Sequence, residues 1–421
     1  ILPISGGYPP GKLEVWTYGM PEYMRIYFQN YIDRPDTPVK DVTVEMVNYA
    51  GEGDVRQQVM MDLTAGTLDG LPTAISTFPV SMQVLADAGV LMDLTDRLAP
   101  YEDLFVDGAF EQGTYNGKIY GLPYTLQPKM LFYNQDIFDK YGIDPKRMET
   151  MEGYIEVGKE LKRKSSGKTY LSYVDPGDYT WRYWFRRGLM PQANARIWND
   201  DKSVAFDKDP GTLLAMRTFQ EMMESDLLLN AAMFSPALYE ATRKEEIATY
   251  YVESFWDSFL RSNLGDMSGS WRSMPAPVFE KIGTAGAQVI AMYCVIDKPK
   301  APYADLFVDI LLDFNTNIAE RNAWSDKMIA MDLPTEHPIV REMLADPYWS
   351  TPSDYYGGES YKNMVTKSFE NPSSNIMVTE NDAEADIIIS AELQKYVAGS
   401  QSMDATIREI GTKLRSRLNL K

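Results

Sequence analysis

The chain has 421 residues, 44% hydrophobic, 24% charged and 12% aromatic, the make-up of an ordered globular protein with room for two or three domains. Its 41 Lys and Arg against 60 Asp and Glu give a formal net charge of −19, so the average surface repels a phosphate backbone and no nucleic-acid partner is expected. The sequence contains no apolar run of about 18 residues, the length a spanning helix needs.

In chain order, the first sharp signal is Asn116-Gly117, the strongest two-residue hairpin pair, set between strand-favouring flanks. Gly121 and Pro123 predict an abrupt strand end and an irregular stretch over 124–128, before the apolar residues 130–133 resume as a buried strand leading into a helix. The basic run 159–164 falls on a helix and reads as a solvated face. Asp209-Pro210 combines an N-cap with proline at the first helical position, and Leu213, Met216, Phe219 and Met223 follow at helical spacing. Residues 247–252 read as a buried strand that gives way to a helix at Trp256. Cys294, the single cysteine, lies in the apolar stretch 289–296, where a buried, inert thiol is expected and no intrachain disulfide can form. Two more apolar stripes follow, one through Ala304, Phe307, Val308, Leu311 and Leu312, the other through Met403, Ile407, Ile410, Leu414 and Leu418. Such stripes, like most of the 24 methionines, belong to a core. Strands alternating with helices predict an α/β protein with mixed sheets.

Side chains for catalysis are scarce. His337 is the only histidine and sits in a turn-like Thr-Glu-His-Pro stretch, where a surface position is expected rather than a base. One histidine and one cysteine exclude a zinc site of the usual kind, and no cofactor is expected. The acidic clusters 199–201 and 207–209 lack EF-hand spacing and read as turns and caps rather than calcium ligands. Nucleotide-binding glycine patterns are missing. A glycosidase carboxylate pair stays open, because distance in the fold defines it.

Residues 116–124 (Asn-Gly-Lys-Ile-Tyr-Gly-Leu-Pro-Tyr), 130–138 and 140–143 together resemble the extracellular solute-binding proteins of carbohydrate ABC importers, the group that includes maltose-binding protein. In that family a hairpin of this pattern runs into the first interdomain crossing. Residues 12–17 and 42–47 resemble its first two strands, and 65–66, 71–76 and 86–95 its third strand and following turn. Residues 247–256 stand where the family has a strand ending in Gly-Pro-Trp, and 274–277 and 333–335 also fit. Two departures are Ser254, where relatives carry glycine, and Thr73, where they carry an acidic residue.

The resemblance implies a two-lobed periplasmic-binding-protein-like fold of type II, with discontinuous lobes joined by about three hinge crossings near 125–128, 273–277 and 330–335. The N-terminal lobe would comprise 12–125 with 279–330 and the C-terminal lobe 128–273 with 335–421, with 1–11 as a tether. Residues 346–372, rich in Tyr, Trp, Ser, Gly and Pro, have no strong counterpart and read as an ordered loop insertion whose Trp349, Tyr355, Tyr356 and Tyr361 close the cleft or brace their own loop. The implied function is that of a receptor, not an enzyme: it would capture a carbohydrate, an oligosaccharide by expectation, in an aromatic-lined interlobe cleft and deliver it to membrane permeases. A monomer, extracellular or periplasmic, with a lipidated cysteine upstream of Ile1 as its only membrane attachment, is expected. Alternatives are a binding protein for a peptide or cationic small molecule and a secreted glycoside hydrolase.

Sugars offer C–H faces and a rim of hydroxyls, so their sites pair flat aromatic rings with polar side chains. The family positions carried onto this chain give Tyr18, Met20 and Glu22 after the first strand, Thr77 and Phe78 after the third, and Tyr124 and Gln127 in the first crossing. Tyr179 and Trp181 stand in the place of an aromatic stacking loop, and Trp256 in that of a stacking tryptophan.

Overall fold

The computed structural model describes residues 8–37, 39–286, 289–298, 302–370 and 376–420. Most of the expected tether, 1–7, lies outside them. In chain order the strands are β1 (Gly11–Tyr18), β2 (Val42–Tyr49), β3 (Ala74–Thr77), β4 (Thr114–Tyr115), β5 (Lys118–Ile119) and β6 (Gly121–Gln127). They continue as β7 (Lys129–Asn134), β8 (Ser172–Val174), β9 (Leu228–Asn230), β10 (Thr249–Glu253), β11 (Trp271–Pro275) and β12 (Val289–Val295).

The chain divides into two compact units, Ile1–Leu126 with Ile290–Tyr348, and Gln127–Val289 with Trp349–Lys421. The chain changes unit at 126–127, 289–290 and 348–349. Residues 273–277 stay in the second unit because β11 pairs along β7 and Val278 bridges Thr150. Residues 330–335 stay in the first because the chain continues beside β6, where Thr125 Oγ1 donates to the His337 carbonyl at 2.9 Å.

The first unit is a five-stranded sheet in the order β2-β1-β3-β12-β6. β1 runs parallel to β2 and to β3, the connections carrying the helices Glu22–Asp33 and Glu52–Ala65, as parallel neighbours require. β12 returns antiparallel to β3. The parallel register pairs Tyr18 with Tyr49 and Val15 with Ala74, so the carboxyl ends of β1, β2 and β3 form one edge. Its core gathers Phe28, Phe307, Phe314 and Leu311 around the sheet. The Asn116-Gly117 turn is as expected, with φ of 50° and 75° between the two-residue strands β4 and β5. The irregular stretch predicted over 124–128 is not. Residues 121–127 form β6, and Pro123 is accommodated because β6 is the outer strand, where a missing N–H breaks no central ladder.

The second unit holds an antiparallel sheet, β10-β7-β11, and a parallel pair, β8-β9. Trp184, Trp198, Phe219, Ile389 and Ile410 form one core cluster, and Tyr250, Trp256 and Trp271 lie in another. Asp209 caps the helix Pro210–Glu224 by accepting from the Thr212 N–H at 2.8 Å, and Met216 and Phe219 face the core. Thr180–Leu189 is a π-helix, an uncommon form found often at functional sites. Gly188 in it is compelled: a Cβ there would lie 2.5 Å from the Tyr251 hydroxyl.

The insertion is helical, with Asp354–Tyr356 and Tyr361–Ser368 as short helices, though 371–372 lie outside the described residues. Tyr355 donates to the carbonyls of Leu260 and Leu264 and Tyr356 to Asp257, so these rings brace the helix Trp256–Asn263. His337 is not a surface residue: it is 7% exposed, because its backbone is tied to β6. Asp207 pairs with Arg415 and Asp201 accepts from Ser203, and among the described residues no group of three or more His, Cys, Asp or Glu could hold a metal. No described helix is long and apolar enough to cross a membrane.

Cys294 in β12 is fully buried, and burial pushes its thiol pKa well up. A thiol reagent at pH 8 is therefore expected to leave the native protein unmodified and to label one site per chain in denaturant. Rapid labelling of the native protein would contradict this burial.

Candidate ligand-binding site

The carboxyl edge of an open α/β sheet is where ligands bind, and in the first unit that edge carries phenols and a phenyl ring. Tyr18 ends β1 and Phe78 follows β3, their rings 5.6 Å apart at 50°. Both are half-buried. On β6, Tyr124 packs its ring 4.9 Å from Tyr293 of β12. Three of the expected residues, Tyr18, Phe78 and Tyr124, are thus gathered in this unit.

Others are engaged in the scaffold. Thr77 is buried and donates to Glu52 Oε1 at 2.6 Å, while Glu52 also accepts from the Phe78 N–H and from Ser81. That carboxylate sits at the start of the helix Pro79–Asp87, where a negative charge is favoured. Glu22 is exposed and paired with Arg25 through two bonds of 2.6 and 2.7 Å; the Arg25 bond holds its carboxyl below the usual range. Met20 is half-buried beside it.

Two residues at this edge escaped the sequence. Tyr23, in the first turn of Glu22–Asp33, donates to Glu336 Oε1 at 2.8 Å and meets the Tyr124 hydroxyl at 3.4 Å. Burial, then the charge of Glu336, raises the Tyr23 pKa well above 10, so it stays a neutral donor. Glu336 lies 313 positions further on; the Leu333-Pro-Thr335 match beside it was the only signal.

In the second unit, Gln127 is half-buried at the start of the segment. Tyr179 is half-buried, with Tyr183 at 5.6 Å, Phe234 at 5.5 Å and the Arg182 guanidinium 5.5 Å from its ring. Trp181 is 3% exposed, stacks 6.2 Å from Phe185 and donates to Asp386 at 2.7 Å. Its indole anchors the π-helix to the helix Asp382–Val397 rather than offering a free face. Trp256 is fully buried among Tyr250, Phe259, Phe234 and Tyr239. The stacking role expected of it is corrected: both faces of the ring are occupied by protein.

Sequence reasoning also missed a buried ion pair. Lys129 of β7 and Glu253 of β10 are register partners, their side chains without exposure and 3.6 Å apart. The Lys129 ammonium donates to the Tyr183 carbonyl inside the π-helix and lies 4.5 Å from the centre of the Tyr251 ring. Burial lowers its pKa to about 8, against the opposing pull of Glu253.

The bacterial extracellular solute-binding protein family matches residues 37–240. A lactose-binding protein of Rhizobium radiobacter is 21% identical over 93% of this chain and 89% of its own length. Over residues 37–240 the chain is thus similar to the extracellular solute-binding proteins, and over 93% of its length to one sugar-binding relative. An arabinooligosaccharide-binding protein of Bacillus subtilis (strain 168) is 35% identical over 211 residues, 49% of this chain and 47% of that protein. Among solved structures, an ABC-transporter-associated binding protein from B. animalis subsp. lactis Bl-04, in complex with beta-1,6-galactobiose, shares the fold with a TM-score of 0.80. Identity is 18%, over 97% of this chain and 98% of that one. The sugar-binding protein MalE of Xanthomonas citri aligns with a TM-score of 0.76 at 15% identity, over 97% of both chains. The chain thus has the expected two-lobed α/β fold.

Proposed function

We propose that this chain is the receptor component of an ABC importer that captures a carbohydrate and passes it to membrane permeases, without turning it over. The observation that carries the reading is the edge of Tyr18, Phe78 and Tyr124, where aromatic faces lie beside phenolic hydroxyls, the pairing that sugars call for. Its relatives' names, lactose- and arabinooligosaccharide-binding, support a sugar ligand, and the oligosaccharides among them favour more than one ring. The protein works as a monomer outside the cytoplasmic membrane, tethered by a lipid-modified cysteine upstream, and closes by hinge motion on its ligand. Met20 adds a contact on the first unit, and Gln127 and Tyr179 are the ligand contacts of the second unit, taken by itself.

A thermal-shift screen against lactose, beta-1,6-galactobiose and arabinooligosaccharides tests this, since a ligand of the folded state raises its melting temperature. One or more sugars should raise it by several degrees, with no shorter products on incubation. Small-angle scattering should show a smaller radius of gyration with that sugar at saturation. Sugar hydrolysis would overturn the receptor reading, and unchanged dimensions the hinge closure.

A further inference from the structure

The Tyr23–Tyr124 contact has unusual geometry. Hydroxyl pairs normally sit about 2.7–2.8 Å apart, and at 3.4 Å the two phenols barely bond. Tyr23 has only one proton, and Glu336 takes it at 2.8 Å, so Tyr23 faces Tyr124 with lone pairs. Tyr124 must then be the donor, yet its proton is met by an acceptor too distant to satisfy it. Tyr124 is 5% exposed, so a donor in poor use there carries a real cost.

The arrangement is held open by the surrounding structure. Glu336 adopts a φ of 45°, a left-handed conformation that a side chain of this type rarely takes. Arg321, fully buried, stabilises it by donating to the Glu336 carbonyl at 2.7 Å and to the Phe314 carbonyl at 3.2 Å, with its guanidinium 3.5 Å from the centre of the Phe314 ring. Trp324 donates to the Tyr23 carbonyl at 2.9 Å and fixes the other phenol's backbone. Neither Tyr23 nor Glu336 is free to slide toward Tyr124 and close the gap.

We propose that Tyr23 and Tyr124 form a hydroxyl-reading subsite, in which one ligand hydroxyl accepts from Tyr124 and donates to Tyr23. Glu336 and Arg321 are positioning residues: Glu336 directs the Tyr23 proton away from the ligand, and Arg321 holds Glu336 in its strained turn. A hydroxyl satisfies this pair because it is donor and acceptor at once. A carbonyl or ether oxygen leaves Tyr23 unmet, and an ammonium clashes with the Tyr124 proton. This subsite rests on the carbohydrate reading and narrows it to ligands that present a free hydroxyl at this position.

The test is a double-mutant cycle by calorimetry, using whichever of lactose, beta-1,6-galactobiose and arabinooligosaccharides binds the unaltered protein. Tyr23→Phe and Tyr124→Phe should each weaken binding about tenfold, and the double variant scarcely more than either alone, because one hydroxyl bridges both. Glu336→Ala should weaken binding similarly while Glu336→Gln, whose amide oxygen still accepts from Tyr23, restores it. The apo melting temperature of Tyr124→Phe should stay close to that of the unaltered protein, while Tyr23→Phe, which also removes the bond to Glu336, should lower it modestly. If no sugar binds the unaltered protein, the carbohydrate reading fails. If a sugar binds it and both Phe variants equally well, or if the two losses simply multiply, the subsite is overturned. Should a Phe variant be misfolded by melting analysis, the Glu336→Ala and Glu336→Gln pair decides alone, and equal affinity for the two counts against the proposal.

Discussion

Trp256→Ala is expected to lower folding stability by about 3–5 kcal/mol, the usual result of emptying a large core site. The indole has no exposure. Phe259 lies 5.4 Å away at an interplanar angle of 18° and Tyr239 6.2 Å away at 23°, while Tyr250 is at 5.0 Å and Phe234 at 5.5 Å. Its Nε1 is buried and meets no hydrogen-bond acceptor among the described residues, a cost of about 1–3 kcal/mol that the indole's packing must outweigh. Trp256→Phe removes that polar group together with part of the packing, so it should lose clearly less stability than the alanine variant. Urea unfolding of the three proteins without ligand measures both differences. An alanine variant that keeps its apo stability but binds sugar at least tenfold more weakly would restore the stacking role and sink the core assignment.

The contrast between Trp256 and the Asn116-Gly117 turn shows where the sequence was readable. Element types followed from local pattern: Asp209-Pro210 began a helix, Asn116-Gly117 made a two-residue turn, and residues 130–133 became the middle of β7. These depend on neighbours within a few positions. Whether a tryptophan at a strand–helix junction faces solvent or a core depends on residues such as Phe234 and Tyr239, which no local pattern ties to it. Pro123 misled for a related reason, because a proline breaks a strand only if that strand has neighbours on both sides, and edge position is a property of the sheet. Glu336 and Tyr23 meet across 313 positions, and the Lys129–Glu253 pair depends on strand register. At Tyr18 and Phe78 the strand ends themselves fix where the side chains sit, which is why these two rings meet.

The other large effect is expected at the buried pair. Lys129→Met should cost about 3–5 kcal/mol, because it strands Glu253 as a lone buried carboxylate whose oxygens accept no hydrogen bond from the described residues. Adding Glu253→Leu should recover most of that loss, since apolar residues of similar volume often replace buried ion pairs without penalty. The pair also carries a pH signature of definite sign. Burial depresses the folded-state pKa of Lys129 from 10.5 to about 8. Below pH 8 both states hold the proton and the folded protein bears the full cost of the buried ammonium. Between about pH 8 and 10.5 the unfolded chain keeps a proton that the folded protein has released, so raising pH favours the folded state. Relative to the double variant, the unaltered protein should gain on the order of 3 kcal/mol across that window. Urea titrations of both proteins at pH 7.5 and pH 10 give this difference directly, with changes at all other titrating groups cancelling between them. A difference that stays constant would mean that Lys129 titrates as an ordinary lysine, and one that moves the other way would mean that Glu253, not burial, governs its proton.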